Sequence, residues 1–248
     1  MINYTIQLPI EEEFPNGSVV RDFSEFSGLS IEEIHFKMVN HQVINAEDFN
    51  ERDNKEDFYE NSKNYIYDLL NNNWHKFRVS NKINLFLPTA LKLIKEHQGN
   101  KFMEFGGGLG VFCEIVKEYT GKDVTYVDIK GYISDFAKWR FSKYNLPINT
   151  IIIPQDHFSL PEKYDIIFTD AVIEHLPPQQ QEDYFYELCK YLNKDGLLIS
   201  IIDLSGEEES MPMHFNVNIN KVFKILEKCG MINIYNNLQF ATIWKKQF

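Results

Sequence analysis

The 248-residue sequence predicts an α/β fold. The expected sheet is doubly wound and mostly parallel, with seven strands and helices on both faces. An antiparallel C-terminal edge hairpin closes it, and a helical N-terminal extension precedes it. Three observations carry this expectation. From about residue 101, short β-branched runs alternate with amphipathic stretches, as βαβ units require. Ile151–Ile153 and Ile166–Phe168 are apolar without alternation, as strands buried on both faces are. A glycine-rich turn, Gly106 to Gly110, follows the first strand candidate directly.

Lys101–Phe105 is that first strand. The stretch from Val111 to Tyr119 has helical spacing, and Gly121 is its C-terminal stop. Asp123–Val127 is the second strand, closed by Asp128. Residues 131–145 place Ile133, Phe136, Ala137, Trp139, Arg140 and Tyr144 at helical spacing, and Pro147 ends them. Thr150–Ile153 and Tyr164–Thr169 are the third and fourth strands. Residues 179–192 form a helix on Tyr184, Phe185, Leu188, Cys189 and Leu192. Lys194-Asp195-Gly196 is a turn, and Leu197–Ile202 is the fifth strand. Residues 218–229 are helical. Ile232–Tyr235 and Phe240–Trp244 have no long helix between them and so form an antiparallel hairpin. Residues 1–80 differ. Ser30–Asn40 and Asp57–Asn73 carry helical stripes, and Asn45–Lys55 between them is polar. The division expected is a helical extension over residues 1–80 and an α/β domain over residues 81–248.

Net charge is −11, and the acidity sits in the first third, where residues 1–80 hold 15 acidic and 7 basic side chains. A phosphate backbone is repelled by such a chain, which argues against a nucleic-acid partner. Aromatic residues make up 15%, enough for a core and a lined pocket. Cys113, Cys189 and Cys229 are scattered and show no metal-ligand spacing, so they read as small buried apolar residues of a reduced, cytoplasmic compartment. No signal peptide and no membrane span is visible.

The segment Glu104-Phe105-Gly106-Gly107-Gly108-Leu109-Gly110 lets backbone approach a ligand closely and presents helix N-terminal amides. A dinucleotide fingerprint needs its third glycine at position 111, which is Val111. An acidic residue followed by three alternate glycines instead resembles the first motif of class I, Rossmann-like, S-adenosylmethionine-dependent methyltransferases. The resemblance extends in order through Asp128, Gln155-Asp156-His157, Tyr164 to Pro177, and Leu188 to Ile199, covering roughly residues 100–204. It implies S-adenosylmethionine as cofactor. Glu104 would then meet the cofactor's ammonium group, and Asp128 both ribose hydroxyls. Asp156 would accept from the adenine amine, beside Gln155 and the backbone N–H of His157. Phe105, Gly106, Gly108, Gly110, Ile129, Asp170 and Ala171 complete the cofactor contacts, and Arg78 pairs with the methionyl carboxylate.

Methyl transfer from a sulfonium needs an aligned acceptor, excluded water and often a base. Three residues are candidates for catalysis. Asp170 ends the fourth strand, on the edge where open α/β sheets bind ligands; its alternative role is a helix cap. His175 lies in Glu174-His175-Leu176 and titrates near neutrality when unperturbed; its alternative is a structural place beneath the cofactor. His214 follows the fifth strand among Met213 and Phe215; its alternative is a solvated loop histidine. No metal site is evident.

The leading expectation is methyl transfer to O, N or C of a small, partly apolar molecule. Two other readings stay open. Residues 1–80 form a recognition arm or lid for the substrate in the first reading, and for a peptide or protein acceptor in the second. In the third the chain is an inert adenosyl-binding partner. A nucleic-acid acceptor is disfavoured by charge and by Asp170-Ala171-Val172-Ile173, which lacks the Pro-Pro-aromatic sequence expected after the fourth strand.

Overall fold

A computed structural model describes residues 18–55, 57–74, 86–154, 159–204, 212–237 and 241–248. The helices before the sheet are α1 (Val19–Ser27), α2 (Ile31–Val39), α3 (His41–Glu51), α4 (Phe58–Asn61), α5 (Ile66–Trp74) and α6 (Phe86–Glu96). Then come β1 (Lys101–Phe105), α7 (Val111–Thr120), β2 (Asp123–Ile129), α8 (Tyr132–Lys143), β3 (Ile148–Ile153) and β4 (Tyr164–Asp170). A 3-10 turn (Ile173–His175) leads to α9 (Pro178–Lys190), β5 (Leu192–Ile201), α10 (Ile219–Lys228), β6 (Met231–Asn237) and β7 (Ala241–Lys246). The chain divides into two compact units. One comprises Met1–Glu96, Gly108–Gly110 and Lys130–Pro147; the other comprises His97–Gly107, Val111–Ile129 and Ile148–Phe248.

The second unit holds the seven-stranded sheet, in the order β3-β2-β1-β4-β5-β7-β6. The five strands from β3 to β5 are parallel, and β7 runs antiparallel to both β5 and β6. The expected mixed sheet with its antiparallel C-terminal hairpin is therefore the sheet observed. Strand order reverses between β1 and β4, which makes their C-terminal ends the switch point where such sheets bind ligands. Helix α7 lies on the face that carries Phe102 and Phe168, where its Phe112 packs on both rings. The other face carries Met103, Phe105, Val127, Ile167 and Leu198, packed with Tyr184, Phe185 and Leu188 of α9 and Ile225 and Leu226 of α10. Alternation of side chains along a strand explains why neighbours in sequence serve opposite layers. Gly121 takes φ +69 and donates to the Lys117 carbonyl, the helix stop expected.

One expected turn is absorbed into a strand. Lys194-Asp195-Gly196 lies inside β5, where Asp195 takes φ +61 and the β4–β5 register shifts between Tyr164 and Ile166. Residues 193–196 have no Cα partner in the β4 or β7 ladder, so the turn interrupts the pairing within the strand's range. Gly196 is required by crowding: a Cβ would stand 2.8 Å from the Asn193 carbonyl oxygen and 2.9 Å from that of Asp165.

The first unit is helical. Ser30 and Glu33 form a reciprocal capping box at the start of α2. The single stripe read over Asp57–Asn73 is broken into α4 and α5. The break is at Ser62, whose hydroxyl accepts the Asn64 and Tyr65 N–H groups and donates to Asp48 at 2.6 Å. The polar stretch Asn45–Lys55 is helical as far as Glu51. Helices α1 and α8 are tied by the buried Asp22, which accepts from Arg140 Nε at 2.8 Å, Lys143 Nζ at 3.0 Å and the Tyr144 hydroxyl at 2.5 Å. Phe23, Phe26, Tyr132, Phe136 and Trp139 pack around that joint. Among the described residues no helix is long and apolar enough to cross a membrane.

Candidate functional site

The parallel register brings several chemistry-bearing residues to one sheet edge. Phe105 at the end of β1 lies beside Val127 of β2 and Thr169 of β4, and Asp170 lies beside Ile201 of β5. Glu104, Asp128 and Asp170 thus share the C-terminal edge. The turn after β1 is pinned there, because Gly106 and Gly107 both donate to the Val127 carbonyl, at 2.8 and 3.2 Å.

Gly106, Gly108 and Gly110 all adopt positive φ, at +69, +51 and +73. Such conformations favour glycine. Space is a second demand. A Cβ on Gly106 would stand 2.3 Å from a Val172 methyl, and one on Gly110 would stand 2.4 Å from the Phe141 ring. Gly107, which the spacing pattern leaves unassigned, is equally constrained: its Cβ would stand 2.5 Å from the Tyr126 ring.

Glu104 is buried at 5% exposure. The Cys113 thiol, on α7, donates to it; burial first and this carboxylate second push that thiol well above its usual range. The sequence predicts Cys113 only as a small buried apolar residue, and the fold sets it against a carboxylate as well. Its position on the sheet-facing stripe of α7 is the signal that would have placed it. Asp128 is half-buried. Its Oδ1 accepts the Ile129 N–H at 2.7 Å, and its Oδ2 accepts the Tyr126 hydroxyl at 3.1 Å. Tyr126 also escaped the sequence reading, although two positions along a strand is the same face.

After β4, Ala171 takes φ +54 and donates to the Ile201 carbonyl at 3.1 Å. A non-glycine residue in that region stores strain of about 1 kcal/mol or more and marks a constrained turn. Behind it, the Thr169 and Tyr184 hydroxyls are 2.6 Å apart. Glu174 is fully buried, and its Oε1 accepts the Asp203 N–H at 3.3 Å. Its Oε2 has no hydrogen-bond partner among the described residues. Burial, with Asp203 and Asp170 adding repulsion, pushes the Glu174 carboxyl up to about 8, so it holds its proton at neutral pH. The Glu174 carbonyl accepts the Phe215 N–H at 2.7 Å, which brings His214 to the same place.

His175 and His214 meet edge to face, with ring centroids 4.7 Å apart. Burial, then the His214 ring, hold the His175 imidazole down at about 3, against a hydrogen bond that the imidazole donates to the Ala171 backbone carbonyl, which raises it. His214 is buried at 7% exposure, so it is not a solvated loop histidine. Arg78, Gln155, Asp156 and His157 lie outside the described residues. Among the described residues no three His, Cys, Asp or Glu side chains group as a metal site.

A mostly parallel sheet with an antiparallel terminal hairpin, a glycine turn after β1 and a carboxylate next to the last residue of β2 mark the class I methyltransferase architecture. Residues 74–247 match the family model described as a methyltransferase domain, and the chain belongs to that family. Two curated proteins are similar to it. One is the polyamine aminopropyltransferase of Sulfurisphaera tokodaii, 29% identical over 144 residues, covering 53% of this chain and 48% of that protein. The other is the phosphoethanolamine N-methyltransferase of Plasmodium falciparum, 24% identical over 155 residues and covering 57% of each. The chain thus spans about half the length of the curated relatives it matches. The fold is similar to magnesium protoporphyrin IX methyltransferase from Synechocystis PCC 6803, solved with bound SAM. The TM-score is 0.50 at 14% identity, over 64% of this chain and 76% of that one.

Proposed function

We propose that this chain binds S-adenosylmethionine at the β1–β2–β4 edge and transfers its methyl group to a small, partly apolar acceptor, with nitrogen as the acceptor atom. The observation that carries the reading is the pair of carboxylates, Glu104 and Asp128, on adjacent parallel strands beside a glycine turn in which Gly106, Gly107 and Gly110 leave no room for a Cβ. The bound cofactor supplies an electrophilic methyl group on a sulfonium centre. Glu104, oriented by Cys113, faces the ammonium group. Asp128 is held by Tyr126 and its own Ile129 amide, and it accepts from the ribose hydroxyls. Phe105, Ile129, Asp170 and Ala171 line the same edge. Arg78, Gln155, Asp156 and His157 keep the roles that the family resemblance implies.

Nitrogen is favoured because His175, the histidine of the Glu174-His175-Leu176 triplet, is poorly matched to neutral pH as a base. A general base works best with its pKa near the operating pH. His175, at about 3, is neutral but a weak proton acceptor, so its place is beneath the site beside His214. A neutral amine brings its own lone pair and asks least of the protein. The names of both curated relatives denote amines, which supports the same choice.

Calorimetry of S-adenosylmethionine and S-adenosylhomocysteine against the wild type and Asp128→Ala tests the reading. Micromolar binding by the wild type, weakened at least tenfold in the variant, is expected. Absence of binding by folded wild-type protein overturns it. Binding without turnover on any amine, hydroxyl or peptide acceptor leaves the inert adenosyl-binding protein as the correct reading.

A further inference from the structure

Cys189 and Cys229 are far apart in sequence, yet the fold brings them together. Cys189 lies in the last turn of α9, almost fully buried, and Cys229 caps α10 and is partly exposed. These two helices pack on each other, and Cys229 packs against the core cluster that contains Cys189. The two thiols are within hydrogen-bond contact of each other, and neither is in a disulfide.

A third group joins them. Lys246 Nζ, from β7, donates to the Cys189 carbonyl at 2.7 Å and to the Leu192 carbonyl at 2.8 Å. Its ammonium is therefore anchored at the end of α9 and acts electrostatically on both thiols. Packing alone asks only for small apolar side chains at these positions. Two cysteines on packed helices, one of them reachable from solvent, are placed so that oxidation can join them. Cys113 is the internal control: it is fully buried, and its partner is a carboxylate.

We propose that Cys189 and Cys229 form a reversible dithiol–disulfide site, oxidised by hydroperoxides. The partly exposed Cys229 reacts first. Its thiolate sulfur attacks the terminal peroxide oxygen, the O–O bond breaks, and Cys229 becomes a sulfenic acid while the peroxide's other oxygen leaves as alcohol or water. The Cys189 sulfur then displaces hydroxide from the Cys229 sulfur: the S–S bond forms, the S–O bond breaks, and the Cys189 proton leaves in the water released. Two thiols give up two electrons and the peroxide takes them. Burial makes Cys189 a poor first target and a fitting resolving thiol, since it needs to react only with its neighbour.

The test treats the full chain, natively folded, with hydrogen peroxide, blocks remaining thiols with N-ethylmaleimide, and digests without reduction for mass spectrometry. One cross-linked peptide joining Cys189 to Cys229 is expected, two hydrogens lighter than its parts. Dithiothreitol should restore both thiols, and Cys113 should be alkylated only after unfolding. In Cys189→Ser the cross-link should vanish and Cys229 should run on to sulfinic acid. Should that buried substitution prevent folding, Cys229→Ser serves, and Cys189 there should stay reduced at the same peroxide dose. Cys229 over-oxidised in the wild type while Cys189 remains a thiol overturns the proposal, as does a cross-link that forms only between chains on a non-reducing gel.

Discussion

The hydroxyl of Tyr126 donates to Oδ2 of Asp128 at 3.1 Å, from two positions earlier on the same strand. Tyr126 is fully buried, so its hydroxyl has little choice of partner, and the carboxylate is held before any ligand arrives. Tyr126→Phe keeps the ring and removes this one donor. S-adenosylhomocysteine binding should weaken by about 1–2 kcal/mol, roughly 5- to 30-fold, with the fold unchanged. Calorimetry with a thermal melt checks both halves. Unchanged affinity would show that the Tyr126 hydroxyl is not needed to orient Asp128.

The face of the same ring sets the second prediction. Gly107→Ala would place a methyl group 2.5 Å from Tyr126 Cδ2. Overpacking of this kind costs about 1–3 kcal/mol. Gly108→Ala meets only Leu69, at 3.4 Å, and its penalty comes from φ +51, about 1–2 kcal/mol. Urea midpoints of the two variants should therefore both fall. Replacing Tyr126 with a smaller residue should rescue Gly107→Ala and leave Gly108→Ala as it was.

Glu174 predicts a pH dependence. Its carboxyl titrates at about 8 in the folded chain, against 4.5 ordinarily. Below the lower value both folded and unfolded chains hold the proton, and burial carries no ionic penalty. Between the two, the unfolded chain releases it and the folded chain does not, so stability falls as pH rises through that window. The loss levels off above pH 8 and is of the order of a few kcal/mol. Glu174→Gln mimics the protonated form and should remove that slope. Denaturant titrations from pH 5 to 9 compare the two; parallel curves would mean the folded carboxyl ionises normally.

Asp22 predicts the behaviour of the helical unit. It accepts from Arg140, Lys143 and Tyr144, and Arg140 is wholly buried. Asp22→Ala removes a carboxylate that is bonded to a wholly buried guanidinium, a loss of about 3–5 kcal/mol. Asp22→Ala with Arg140→Met should recover much of it, because an apolar pair of similar size carries no desolvation penalty. Circular dichroism melts of the single and double variants decide the matter.

Local order was well written in the sequence. The turn after β1, the strand ends that carry Glu104 and Asp128, and the C-terminal hairpin follow from periodicity, glycine placement and β-branched runs, which act over a few residues. Helices α1 and α6 went unread, and so did the split at Ser62. Short amphipathic segments without strong caps look alike on paper, and a serine interrupts a helix only when its hydroxyl finds backbone partners.

What the sequence by itself determined is that Glu104, Asp128 and Asp170 lie at or within one residue of the C-terminal ends of their strands, and parallel strands of one sheet put those ends on one edge. What only the tertiary structure decided is the state of those residues and their companions. Cys113 serves Glu104, Tyr126 fills the space under Gly107, His214 helps keep His175 uncharged, Arg140 finds Asp22, and Cys189 meets Cys229. The physical reason is that hydrogen bonding, close packing and desolvation depend on distance in space. Chain order constrains that distance only within an element.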